Sequence, residues 1–116
     1  MSLKSQDLFN VSNKIVVVTG GSRGIGEMIT SGFLANKSKV YITARKEEAL
    51  VKKAEELSKK YACECIPISG DISNTDGIDA LVNFLKDAEP NGIDYLINNA
   101  GAAWGCLLYT SDAADD

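Results

Sequence analysis

Residues 15–26 narrow the possible folds more than any other stretch. Ile15-Val-Val-Val18 is followed by Thr19-Gly-Gly-Ser-Arg-Gly-Ile-Gly26 and then by an apolar periodicity. A short, unbroken β-branched run is the pattern of a strand covered on both faces, as in a parallel sheet layered by helices. After the glycine-rich Gly20–Gly26, the residues Ile25, Met28, Ile29 and Gly32 recur at i, i+3, i+4 and i+7. That spacing predicts the apolar stripe of a helix running to about Asn36.

The alternation continues along the chain. Val40-Tyr-Ile-Thr43 reads as a second strand. Glu47 to Tyr61 reads as an amphipathic helix, with Leu50, Ala54, Leu57 and Tyr61 on one face. Cys63–Ile68 is a third strand and Asp71-Ile-Ser-Asn74 a turn, after which Ser73, Asn74 or Thr75 caps a helix. In that helix Ile78, Leu81, Val82 and Leu85 repeat the helical spacing. Pro90-Asn-Gly92 breaks it, and Tyr95-Leu-Ile97 is a fourth strand. The order βαβαβαβ with short connections implies parallel strands joined by right-handed crossovers. Pro67, lacking a backbone donor, belongs on an edge strand. In a doubly wound sheet of order 3-2-1-4 the third strand is that edge, so the two readings agree.

Composition fits one domain: 116 residues, 45% hydrophobic and 24% charged. No apolar run nears the roughly 20 residues of a membrane span, and the N-terminus has no apolar h-region. The expected setting is therefore cytoplasmic, without membrane attachment. Net charge is −4, and outside Asp112, Asp115 and Asp116 the chain holds 12 bases against 13 acids. A nucleic-acid partner would call for a basic surplus. Three cysteines without a histidine make a poor zinc set and read as buried free thiols in a reducing compartment, so no metal is expected. The sequons Asn10-Val-Ser12 and Asn36-Lys-Ser38 carry no meaning without export.

The glycine spacing is Gly20-x-x-x-Gly24-x-Gly26. One glycine allows a tight turn, another lets backbone approach a pyrophosphate, and Gly26 lets the helix lie close to the strand. The helix N-terminus offers unpaired N–H groups and partial positive charge to phosphates. A glycine-rich turn without a ligand is the plain alternative. The placement between a buried strand and an amphipathic helix favours the nucleotide site.

Thr19-Gly-x-x-x-Gly-x-Gly26 resembles the cofactor fingerprint of the short-chain dehydrogenase/reductase superfamily. Asn98-Asn-Ala-Gly101 resembles that family's second hallmark, and Asp71-Ile72 matches the position where the family holds the adenine ring. More narrowly, Asn98-Asn-Ala-Gly-Ala-Ala-Trp-Gly105 with the glycine loop resembles 3-oxoacyl-carrier-protein reductases of the rhamnolipid-biosynthesis type. The resemblance implies an α/β Rossmann-type doubly wound parallel sheet over residues 1–105, truncated after the fourth strand. It also implies cofactor contacts from Thr19, Gly20, Ser22, Arg23, Gly24, Ile25, Gly26, Asp71 and Ile72. Asn98, Asn99 and Ala100 would lie near the adenosine ribose and the end of the fourth strand, with Gly101 allowing close approach.

The two nicotinamide cofactors differ at the adenosine 2′ position, near the end of the second strand. An acid there accepts from the NAD 2′-hydroxyl and repels a 2′-phosphate. Thr43-Ala-Arg45-Lys46 has no acid before Glu47. Arg45 suits a bidentate, charge-assisted contact with phosphate, and Arg23 approaches from the glycine loop. A solvated pair of bases is the plain alternative; NADP (NADPH) is the expected cofactor.

The family's chemistry uses a tyrosine acid/base, a lysine four residues on and a serine. No Tyr-x-x-x-Lys occurs at Tyr41, Tyr61, Tyr95 or Tyr109, so no catalytic residue is assigned. Residues 106–116, Cys-Leu-Leu-Tyr-Thr-Ser-Asp-Ala-Ala-Asp-Asp, resemble a translated sequencing adapter and are expected to be a foreign, disordered tail. The expected parent is an NADP-dependent oxidoreductase of carbonyl/3-oxoacyl reductase type. Its substrate is a small carbonyl or alcohol compound, and the parent is a homo-oligomer by resemblance. The competing class is a non-catalytic dinucleotide-binding or sensor domain.

Overall fold

The computed structural model describes residues 10–99. Seven elements alternate: β1 (Ile15–Thr19), α1 (Gly24–Ala35), β2 (Lys39–Ala44), α2 (Glu47–Tyr61), β3 (Cys65–Ser69), α3 (Thr75–Ala88) and β4 (Tyr95–Asn98). The strands form one parallel sheet in the order β3-β2-β1-β4. Pro67 stands opposite Ile42 on the edge strand β3, where a missing backbone donor is tolerated. Asp94 sets the start of the β1–β4 pairing: Ile15 N donates to its carboxylate (2.8 Å), and its own N–H donates to Ile15 O (2.8 Å).

One side of the sheet carries the core. Val16, Val18, Val40 and Ile42 meet Leu34 of α1 and Leu50, Ala54 and Leu57 of α2, all buried, with Cys65 of β3 beside them. The expected face of α2 is thus the one it buries. The stripe read from α1 is buried only in part, with Ile29 half-buried against that core. Ile25 and Met28 are 67% and 73% exposed, and the helix buries Gly26, Thr30 and Leu34 instead. Gly26 and Thr30, small residues one turn apart, allow the helix axis to come close to β1, and Leu34 a turn further on fills the core, so close approach as well as hydrophobicity selects the buried ridge. Thr30 turns its hydroxyl back to Gly26 O (2.9 Å), so its burial strands no polar atom.

β3 starts at Cys65, two residues later than its sequence pattern suggests. Ala62 ends α2 in a left-handed conformation, and Ser58 Oγ both accepts from Cys65 N (3.1 Å) and donates to Cys65 O (3.2 Å). Cys63 and Cys65 are free, with Cys63 half-buried. Burial pushes the Cys65 thiol up to about 12, which leaves it unreactive at neutral pH. Cys106 lies outside the described residues, as does the whole of residues 106–116. Among the described residues no helix is long and apolar enough to cross a membrane, and no metal-ligating cluster occurs.

The opposite side of the sheet is covered by α3, which buries none of its own residues; Ile78, Val82 and Phe84 are exposed. Asn74, one of three candidate caps, accepts from Gly77 N (2.8 Å) and begins the helix. Polar contacts hold its far end. Glu89 accepts from the hydroxyl of the buried Tyr41 (2.5 Å) and pairs with the Lys39 ammonium (2.7 Å). Phe84 lies edge-on to Tyr41.

This cluster makes stability pH-dependent in a definite sense. The Lys39 hydrogen bond, then that of Tyr41, holds the Glu89 carboxyl below its ordinary 4.5. Its contribution is present above that value and lost as pH falls through the lower, folded one. Lys39 is raised above 10.5 chiefly by Glu89, and Tyr41 above 10.0 chiefly by burial; both contributions fade as pH rises through the folded values. Glu89→Gln should lower the unfolding free energy by about 1 kcal/mol at neutral pH. It should also flatten the acid loss of the urea midpoint as pH falls below the ordinary 4.5 of the carboxyl. Urea titrations followed by circular dichroism check this. An acid loss as steep as in the unsubstituted chain would contradict the account.

Candidate cofactor crevice

The C-terminal ends of the four parallel strands lie side by side, and the loop from Gly20 to Arg23 leaves β1 there. Gly20 adopts φ +67, a conformation costly to residues with a Cβ. Its N–H donates to Thr43 O of β2 (3.0 Å), and its carbonyl accepts from the Asn99 side-chain amide (3.2 Å) beyond β4. The same carbonyl lies 1.9 Å from where a Cβ on Gly26 would stand. Nothing larger than glycine fits between helix and loop, which gives Gly26 the close-packing part that its spacing suggested.

Gly21 is equally confined. A Cβ there would meet Ile42 Cγ2 at 2.6 Å and Thr30 Oγ1 at 2.8 Å. Sequence reasoning gave it no role, because its constraint comes from β2 and α1 rather than from the loop's own pattern. Gly24 is of another kind: φ is +59, yet nothing lies within 4 Å of its Cβ position, so the space outside it is open. Arg23 is the N-cap of α1 and makes no side-chain cap bond; it is exposed, as Ile25 is, while Ser22 is half-buried. The first turn of α1 thus faces open space without a side-chain cap, a suitable arrangement for an anionic group.

Thr19 and Asn98 face each other across the β1–β4 pair, with the threonine hydroxyl donating to Asn98 Oδ1 (2.9 Å). With the Asn99 bond to Gly20, the β4 end anchors the glycine loop from a second side. Ala100 and Gly101, the other members of that motif, lie outside the described residues.

Arg45 follows β2 and is exposed; Asp71 follows β3 and is half-buried with Ile72. The Ser73 hydroxyl (2.6 Å) and amide (2.9 Å) both donate to Asp71 Oδ1. Those bonds, and then the Arg45 charge, hold the carboxyl below its ordinary range. Arg45 and Asp71, 26 positions apart in sequence, therefore share one electrostatic neighbourhood. Gly77 is a position that periodicity missed. A Cβ there would lie 1.7 Å from Asp71 O, so α3 starts in backbone contact with the turn. Its only sequence signal was a glycine in the first turn of an otherwise helical pattern. Under α3 a pocket of about 240 Å³ is lined by residues that include Thr43, Ile68, Ile72, Leu81 and Phe84.

The crevice thus gathers Thr19, Gly20, Ser22, Arg23, Gly24, Ile25, Gly26, Arg45, Asp71, Ile72, Asn98 and Asn99 at one end of the sheet. Comparison with known proteins agrees with the fold. The family model for short chain dehydrogenase matches residues 14–115. A rhamnolipids biosynthesis 3-oxoacyl-[acyl-carrier-protein] reductase of Pseudomonas aeruginosa is 41% identical over 100 residues, covering 86% of this chain and 38% of that protein. L-sorbose reductase of Gluconobacter frateurii, solved with NADPH and L-sorbose, superimposes with TM-score 0.75 at 32% identity, over 80% of this chain and 35% of that one. The Pseudomonas aeruginosa RhlG/NADP active-site complex gives TM-score 0.74 at 36% identity, over 86% and 41%. The chain spans about two fifths of the length of these relatives. It belongs to the short-chain dehydrogenase family.

Proposed function

We propose that this chain is the cofactor-binding part of an NADP(H)-dependent oxidoreductase acting on a carbonyl or alcohol group of a small molecule, with 3-oxoacyl compounds the leading substrate class. The observation that carries the reading is the convergence of glycine loop, Arg45 and Asp71 at the C-terminal ends of the parallel strands, where open α/β sheets bind ligands. Relatives support it: two of the similar structures hold NADP or NADPH, and one similar protein is a 3-oxoacyl reductase.

The residues present fit such a cofactor. The open space at Gly24 admits a pyrophosphate against backbone, and the uncapped first turn of α1 offers N–H donors to it. Arg45 would supply a bidentate fork for a 2′-phosphate, and Arg23, exposed at the start of α1, would add a second cation from the glycine loop. Asp71 would accept from the adenosine, while Asn98 and Asn99 hold the β4 end to β1 and the glycine loop. Bound there, a nicotinamide dinucleotide supplies or accepts hydride at its ring. Proton transfer needs a positioned acid, and residues 1–116 contain no Tyr-x-x-x-Lys, so this chain binds and orients without completing the reaction.

Two predictions separate the parts of the crevice. Arg45→Asp should weaken NADPH binding about ten- to hundredfold, the loss of a charge-assisted pair, and leave NADH binding unchanged or improved. Calorimetric titration of both cofactors tests this, and an unaltered NADPH affinity would contradict the assignment. Gly24→Val and Gly26→Ala should fail differently. The first places bulk in open space and strains one residue by about 1–2 kcal/mol, so it loses nucleotide binding while keeping the fold. The second forces helix from loop and lowers stability as well. Circular dichroism and urea midpoints beside NADPH titration distinguish them; normal binding by Gly24→Val would make the loop a plain turn.

A further inference from the structure

We propose that Ser73 is a positioning residue for the adenosine half of the cofactor, locking the Asp71 carboxylate with one oxygen held and the other free to accept. This rests on the functional reading above, in which Asp71 faces the adenosine.

Asp71 is fixed at two levels. Its main chain is pinned by α3, because the absent Cβ of Gly77 would lie 1.7 Å from Asp71 O. Among the described residues its side chain is pinned by Ser73, whose hydroxyl (2.6 Å) and amide (2.9 Å) both donate to Oδ1. Among the described residues no hydrogen bond is made to Oδ2. A carboxylate held in this way presents a single aimed acceptor rather than a rotating pair, and fixing it in advance lowers the entropy lost on binding.

The arrangement is not a device for starting α3. Asn74 already caps that helix by accepting from Gly77 N (2.8 Å), and neither Asp71–Ser73 bond involves a helical N–H. Nor does a cation fix the carboxylate by contact. Arg45 acts on it only through its field, as the other charge near Asp71, while the Ser73 bonds are the larger cause of its acidity. With Asp71 ionised, the free oxygen suits an N–H or O–H donor, such as an exocyclic amine of a purine or a ribose hydroxyl. Arg45 stays available for a phosphate beside it. Ser73 would thereby set adenosine recognition without touching the nucleotide.

Titration of the 116-residue chain with 2′,5′-ADP and, separately, with nicotinamide mononucleotide tests the proposal. Ser73→Ala should weaken 2′,5′-ADP binding about fivefold, the effect of one lost hydrogen bond, and leave nicotinamide mononucleotide unaffected. Ser73→Thr keeps the hydroxyl and should restore 2′,5′-ADP binding to within about twofold. Urea midpoints of both variants should match the unsubstituted chain. If Ser73→Ala binds 2′,5′-ADP as the unsubstituted chain does, or Ser73→Thr is as weak as Ser73→Ala, the positioning role is overturned and the crevice reading stands. If the unsubstituted chain binds no 2′,5′-ADP, the functional reading falls and this inference with it.

Discussion

The contact between Gly26 and the carbonyl of Gly20 is the constraint on which the rest of the crevice depends. A Cβ at 1.9 Å from that oxygen cannot be accommodated by side-chain adjustment, because both partners are backbone. The contact brings α1 down onto the loop and puts Thr30 and Leu34 against the sheet. It also leaves the Gly20 carbonyl where the Asn99 amide reaches it. The loop is then held by β2 through Thr43 O, by α1 through Gly26 and by the end of β4 through Asn99. A phosphate site built from backbone N–H groups needs that rigidity, since the donors have no side-chain rotamers to adjust.

The sheet is asymmetric. On one side α1 and α2 close a core of valine, leucine and isoleucine. On the other, α3 meets Tyr41 through Phe84 without burying any residue of its own, and its ends are held by backbone contact at Gly77 and by the Tyr41–Glu89–Lys39 cluster. Hydrophobic stabilisation scales with apolar area removed from water, so the two sides differ in what holds them. The α1–α2 side depends on burial, and the α3 side more on hydrogen bonds sensitive to pH. Asp71 and Ile72 sit where β3 hands over to α3, so their end of the crevice belongs to the less deeply packed half.

Much of this was legible in the residues. The unbroken Ile15–Val18 run, the regular alternation and Pro67 gave strand order and edge, since a missing backbone donor can be tolerated in few places. The glycine loop was legible because only glycine meets its demands. The buried face of α1 was not, since hydrophobic periodicity marks apolar residues, whereas close packing selects small ones; Ile25 and Met28 outrank Gly26 and Thr30 by the first measure and lose by the second. Gly21 and Gly77 escaped for a related reason: their constraints are contacts with residues distant in sequence or across a turn, which no local pattern records. Arg45 was legible as a base where an acid stands in NAD sites. Its shared neighbourhood with Asp71 emerged only when β2 and β3 were placed side by side.

The central claim is that the ends of these strands form one nucleotide-binding crevice centred on the glycine loop. Titrating the isotopically labelled chain with NADPH and following its backbone amides by NMR tests that claim most directly. The account predicts the largest shifts at Gly20–Gly26, with Arg45, Asp71, Ile72 and Asn99 responding in parallel and the exposed faces of α2 and the C-terminal half of α3 unmoved. Shifts confined to the residues under α3, around Leu81 and Phe84, with the glycine loop silent, would contradict it.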